Sequence, residues 1–150
     1  MHVEINCKND YKRFELEEAA HWVADKLMSK RLHKNIYLEI ELVSNLKKES
    51  NAIGFSEITG DNWRPRDFKI VLDSKLSNRA TIRTLMHEMV HIKQWSRGEL
   101  KEITKPECKT LWFDEDHTET EYQDQPWEIE AYVLQEPLAD AYIKMIKSEI

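Results

Sequence analysis

The stretch Arg79–Ser96 contains His87-Glu88-Met89-Val90-His91, an H-E-x-x-H. No other feature of the chain restricts its folding as strongly. On an α-helix, residues four apart stand one turn apart on the same face, so both imidazoles can be aimed at one metal ion. Glu88 is rotated by one residue toward the same side. There it can reach a water on the metal without binding the metal itself. The pattern therefore demands a helix, a cleft beside it and at least one further ligand from elsewhere in the chain.

The flanking residues suit that demand. No Gly or Pro interrupts the segment before Gly98, so a helix of about five turns can form. Ile82, Leu85, Met86, Met89 and Ile92 make one apolar stripe. His87, His91 and Gln94 fall on roughly the opposite side. A core face and a separate histidine face are expected. The plainer alternative is a solvated helix face that happens to carry two histidines.

The chain has 150 residues, a length that suits one domain spanning 1–150. Hydrophobic residues make up 41% and include five Trp, enough for a core without staples. The net charge is −6, with acids and bases intermixed, which weighs against a broad nucleic-acid footprint. Cys7 and Cys108 lie far apart and outside any C-x-x-C, as expected of free thiols in a reducing compartment, or of one bridge at most. No apolar run approaches 18 residues, and the N-terminus lacks a charged-then-apolar signal pattern. A cytoplasmic protein without membrane association is expected.

Read in order, the pattern is α+β. Residues 1–8 alternate like a first strand, and Asn9-Asp10 caps a helix over 11–32. Residues 36–43 alternate strictly and form the clearest half-buried strand. A polar connection covers 44–50. A second strand covers 51–58, where Gly54 marks a bulge or a close approach. A turn at 59–62 leads to a third strand over 68–73, and Ser77 or Asn78 caps the H-E-x-x-H helix. A strand flanking that helix can offer a sheet edge on which a peptide substrate adds as a strand; 51–58 and 68–73 both qualify. Gly98 stops the helix. Residues 99–125 are acidic and read as a solvated, irregular loop without EF-hand spacing. Pro126 opens a C-terminal helix, which Pro137 divides into 126–136 and 137–149.

The third ligand must come from a later segment, because Ile92-Lys93-Gln94-Trp95-Ser96-Arg97 follows His91 and carries no histidine. The candidates are His117, Glu128 and Glu130, with Asp114 and Asp116 behind them. On a wheel of 126–145, Trp127, Ile129, Ala131, Val133, Leu134, Leu138, Ala141 and Met145 define the buried side. Glu130 falls within that sector and Glu128 on the far side with Tyr132 and Gln135. A carboxylate on an apolar face is costly unless it is paired or metal-bound. This favours Glu130 as ligand. A salt bridge from Glu130 to Lys or Arg is the alternative, with Glu128 then the helix's other candidate ligand.

His-Glu-Met-Val-His-Ile-Lys-Gln, then Trp112, then Gln-Pro-Trp-Glu-Ile-Glu-Ala together resemble small single-domain zinc metallopeptidases. These are zincins of a minimal gluzincin-like or SprT-like type, encoded by tailed phages and bacteria. The resemblance covers about residues 79–135. It implies a zincin-like fold: a small mixed sheet packed against an N-terminal helix, the H-E-x-x-H helix and a C-terminal helix bearing the third ligand. In gluzincins that ligand is a helical Glu often followed by Ala, which matches Glu130-Ala131. SprT-like proteins typically offer a third His where this helix offers Glu, so a DNA-linked role is not implied. The implied function is peptide-bond hydrolysis with one Zn²⁺ per chain, held by His87, His91 and Glu130, with Glu88 as general base. His117, Tyr122 and Tyr132 are candidate donors to an oxyanion. The alternative is a non-catalytic zinc-binding accessory or interaction protein of phage or mobile-element origin. If the protein is phage-encoded, its compartment is the host cytoplasm.

Overall fold

The computed structural model describes residues 1–50 and 52–148. Its elements are β1 (His2–Asn6), α1 (Asp10–Leu27), α2 (Lys30–His33), β2 (Tyr37–Val43), α3 (Leu46–Ser50), β3 (Gly54–Ile58), β4 (Asp67–Asp73), α4 (Asn78–Ser96), β5 (Leu100–Ile103), β6 (Lys109–Trp112), β7 (Glu115–Asp116) and α5 (Pro126–Ser148). A 3-10 turn at Tyr122–Asp124 precedes α5. The architecture is α+β with a mixed sheet. Among the described residues, no helix is long and apolar enough to cross a membrane.

The main sheet has the order β1-β2-β4-β3. β1, β2 and β4 are parallel, and β3 runs antiparallel at one end. The register places Val3, Leu38 and Phe68 in one row, and Ile5, Ile40 and Ile70 in the next. Those rows face α1 and α4, and Leu38, Ile40, Phe68 and Ile70 are fully buried. The alternate residues form the polar outer face, where Lys69 pairs with Glu41 at 2.8 Å. One covered face explains why β2 alternates so cleanly in sequence even though its pairing is parallel.

Asn9 caps α1 by accepting from the Lys12 amide. The expected single helix over 11–32 is in fact two. Met28 is extended, and the Ser29 hydroxyl takes up the Leu32 amide, so the chain restarts as α2. The expected polar connection at 44–50 includes the short helix α3, whose Leu46 is buried and whose Lys47 amide donates to Asp73. Of the strand expected over 51–58, Asn51 lies outside the described residues and β3 begins at Gly54.

The expected solvated loop over 99–125 contains a second sheet, a β5-β6-β7 meander. Phe113 and Asp114 both have positive φ and form the two-residue turn between β6 and β7. No Gly or Asn occupies that turn, so its usual sequence signal is missing. The α5 helix runs unbroken through Pro137, contrary to the expected division. The carbonyl that loses its donor belongs to Val133, whose side chain is 64% exposed on a water-facing side. Beyond the proline, Ala139 and Tyr142 are buried, and that packing holds the second half in line.

Candidate metal centre

Helix α4 carries the site. Ser77 caps its start by accepting from the Ala80 amide. At its end Gly98 adopts φ +73°, while Gly98 N donates to Trp95 O and Glu99 N to Gln94 O, a Schellman closure. Ile82, Leu85, Met86, Met89 and Ile92 are buried against the sheet and α1. The histidine face is buried as well, because α5 lies across it. His87, Glu88, His91 and Gln94 are all buried. Their ligand atoms form one group: an imidazole nitrogen from each histidine and a Glu88 oxygen lie within 4.8 Å of one another.

The structure separates the two glutamates of α5. Glu128 faces both histidines, with its oxygens 3.1 Å from His87 Nε2 and 3.1 Å from His91 Nε2. Glu130, the residue favoured from the sequence, stands apart from them. Its Oε1 accepts from Lys93 Nζ at 2.6 Å and from Gln94 Nε2 at 3.0 Å. Ile129 and Val133, which the wheel counts on the buried side, are 49% and 64% exposed. The buried arc instead runs through Trp127, Ala131, Ala139 and Tyr142, and Glu128 lies on its flank beside α4.

The other candidates lie elsewhere. His117 Nδ1 bonds Thr120 Oγ1 at 3.0 Å, and its ring meets Trp127 edge-on. Asp114 pairs with Lys101, and Asp116 accepts from Thr118. The Tyr122 hydroxyl donates to Glu128 Oε1 at 3.2 Å and lies 3.1 Å from the Tyr132 hydroxyl. Tyr132 packs on His87 with ring centroids 4.6 Å apart. Both tyrosines therefore border the cluster.

Three further residues of the site escaped the sequence. His87 Nδ1 faces Gln135 Oε1 at 2.8 Å, and His91 Nδ1 faces Gln94 Oε1 at 2.8 Å. Ser56 Oγ donates to Glu88 Oε1 at 2.9 Å. The glutamines left a faint signal, since Gln94 shares the histidine face and Gln135 follows Glu128 by two turns. Ser56 left none, because its position depends on β3 lying along α4. That approach needs Gly54, where an added Cβ would stand 2.6 Å from Thr84 Cγ2.

The donor set fits a cation. Gln94 Nε2 donates to Trp127 O and Glu130 Oε1, which turns its carbonyl oxygen toward His91. His91 Nδ1 must then carry the proton. In a neutral ring, Nε2 is left as a bare lone pair facing the Glu128 carboxylate. Either a second proton or a metal ion must stand between them. Electrostatics agree. Burial raises the pKa of Glu128, but hydrogen bonds from His87 and His91 outweigh it and bring the value down to about 2. Burial opposes charge on His91 as well, yet the bond to Glu128 raises its pKa. Glu88, lacking such a bond to a histidine, is raised by burial.

A cleft of about 650 Å³ opens over this cluster. Arg83, His87, His91 and Trp95, each four residues from the next, line its length. Residues of β3 form one wall, and Glu128, Tyr132 and Gln135 of α5 form the other. β3 ends the sheet. Asp73 N donates to Ile53 O and Thr59 N to Asp67 O, so antiparallel alternation turns Phe55 and Glu57 toward β4. The main-chain groups of Gly54, Ser56 and Ile58 point to the free edge. Comparison with protein-family models, curated proteins and solved structures gave no match.

Proposed function

We propose that the chain is a zinc-dependent peptidase with a zincin-like arrangement, in which His87, His91 and Glu128 hold the metal and Glu88 is the general base. One observation carries this reading. The two Nε2 atoms converge on one carboxylate, while both Nδ1 atoms are already engaged by glutamine carbonyls. Bound there, zinc would supply a Lewis acid that polarises a substrate carbonyl and lowers the pKa of a water.

The chain's own residues supply the rest. Gln94 and Gln135 fix both rings so that Nε2 faces the metal position. Glu88, one residue from His87 and held by Ser56, takes the proton of the attacking water and returns it to the leaving amine. Tyr122 and Tyr132 bring hydroxyls to the same side and can donate to the developing oxyanion. The free edge of β3 takes the substrate as an added strand through Gly54 and Ser56. In that register the same strand that binds the peptide also holds the base.

Metal analysis by mass spectrometry on wild type, His91→Ala, Glu128→Gln and Glu130→Gln tests the assignment. The expected result is one zinc per wild-type chain, lost with His91→Ala and Glu128→Gln and kept with Glu130→Gln. A wild-type protein that stays free of metal when zinc is supplied would remove the proposal.

A further inference from the structure

The two ends of the cleft differ in charge balance. At the start of α4, Arg83 is answered by Glu136 at 3.1 Å. At the other end, Trp95, Leu100 and Trp127 form an apolar bed one turn beyond His91. Glu102 of β5 stands over that bed, on the same strand face as Leu100. Among the described residues its carboxylate has no hydrogen bond and no ion pair, unlike Glu88, Glu128 and Glu136 in the same cleft. Glu102 is exposed at the mouth of the cleft.

We infer that the Trp95 end of the cleft is a subsite for a basic side chain, lysine or arginine, with Glu102 as its specificity-determining residue. The inference rests on the peptidase reading. An aliphatic stem has the edges of the two indoles to lie on, and the charged head then reaches an exposed carboxylate that no other side chain engages among the described residues. The distance is right, since Trp95 is about 6 Å along the helix axis from His91. A bound peptide therefore projects a side chain into the bed from a residue next to the scissile bond. An acidic side chain there meets Glu102 as a like charge, and an apolar one leaves it unpaired.

The test uses labelled peptides that differ only in lysine, norleucine or glutamate at successive positions. Binding is read by fluorescence polarisation on zinc-loaded Glu88→Gln protein, and cleavage on zinc-loaded wild type. At one position lysine is expected to bind about threefold tighter than norleucine. Adding Glu102→Gln should bring that ratio to about one, and Glu102→Arg should invert it in favour of glutamate. Equal binding of lysine and norleucine at every position, or a ratio unmoved by both Glu102 variants, overturns the subsite. Discrimination in binding without any cleavage by wild type keeps the subsite and removes the peptidase. Cleavage without discrimination does the reverse, and no binding at all removes both.

Discussion

Helices α4 and α5 lie against each other and both turn polar residues to their contact, but only α5 leaves large apolar residues in solvent. On α4, Gln94 is as thoroughly buried as Met86 and Met89, and Lys93 is buried too. On α5, Ile129 and Val133 face solvent while Glu128 turns inward. Hydrophobicity thus describes the sheet-facing side of α4 and misdescribes the surface the two helices share. That surface is organised by an ion pair and a run of hydrogen bonds. Glu99, Lys93, Glu130, Gln94 and His91 follow one another at 2.9, 2.6, 3.0 and 2.8 Å. Buried polar groups are tolerable only when such a chain is complete.

The sharpest test of this contrast is Glu88→Gln. Among the described residues, the buried Glu88 of α4 has one side-chain hydrogen-bond partner, Ser56 Oγ, which a glutamine carbonyl can still accept from. The fold and the bound zinc should persist while peptide turnover falls by about 10²–10⁴. Parallel measurement of zinc content and kcat checks it. Loss of zinc along with activity would make Glu88 a ligand rather than a base.

The next effect falls on the network. Lys93 lies between Glu99 and Glu130. Lys93→Met keeps the stem, leaves Glu130 without its cation and leaves Glu99 only Arg97 at 3.4 Å, which should cost about 3 kcal/mol in urea unfolding. Replacing Lys93, Glu99 and Glu130 together by apolar residues should recover much of that loss. A small cost for Lys93→Met alone would mean the network is wetter than its geometry implies.

This network also marks where the sequence stops being informative. The H-E-x-x-H helix, its Ser77 cap, its Gly98 stop and the alternation of β2 were all legible, because each is set within a few residues. Gly54 was legible as a close approach, though not what it approaches. The choice between Glu128 and Glu130 was not local. It depends on the rotation of α5, which turns Glu128 to the histidines and Glu130 to Lys93 and Gln94, and which the exposed Ile129 and Val133 obscure. The second sheet was hidden for a related reason, since half the residues of its short strands are charged and its tight turn uses Phe113-Asp114.

The cluster also gives a pH signature. In zinc-free protein, Glu128 has a folded pKa of about 2 against 4.5 for the free group, so its contribution is present above 4.5 and lost as pH falls toward 2. His91 is raised above 6.5, so its contribution is full below 6.5 and lost as pH rises through the folded value. Their joint stabilisation is greatest between about pH 4.5 and 6.5. Zinc requires a deprotonated Nε2, so the rise in Tm on adding zinc should grow from pH 5.5 to 7.5. Thermal scans with and without zinc across that range measure both trends. A zinc effect that shrinks as pH rises would contradict the ligand set.

The smallest expected effect lies on the outer side of α5. Ile129→Gln and Val133→Gln replace β-branched residues by a better helix former at positions that bury little. Their cost should stay within about 0.5 kcal/mol, with zinc content unchanged. Ala131, fully buried against α4, supplies the contrast on the same helix. Ala131→Leu must push the two helices apart and should cost about 1–3 kcal/mol. It should also weaken zinc, because Glu128 and Gln135 flank Ala131 and would be carried away from His87 and His91. If the glutamine variants prove the costlier pair, the exposed face of α5 is covered in solution, and the rotation that selects Glu128 over Glu130 would have to be reassigned.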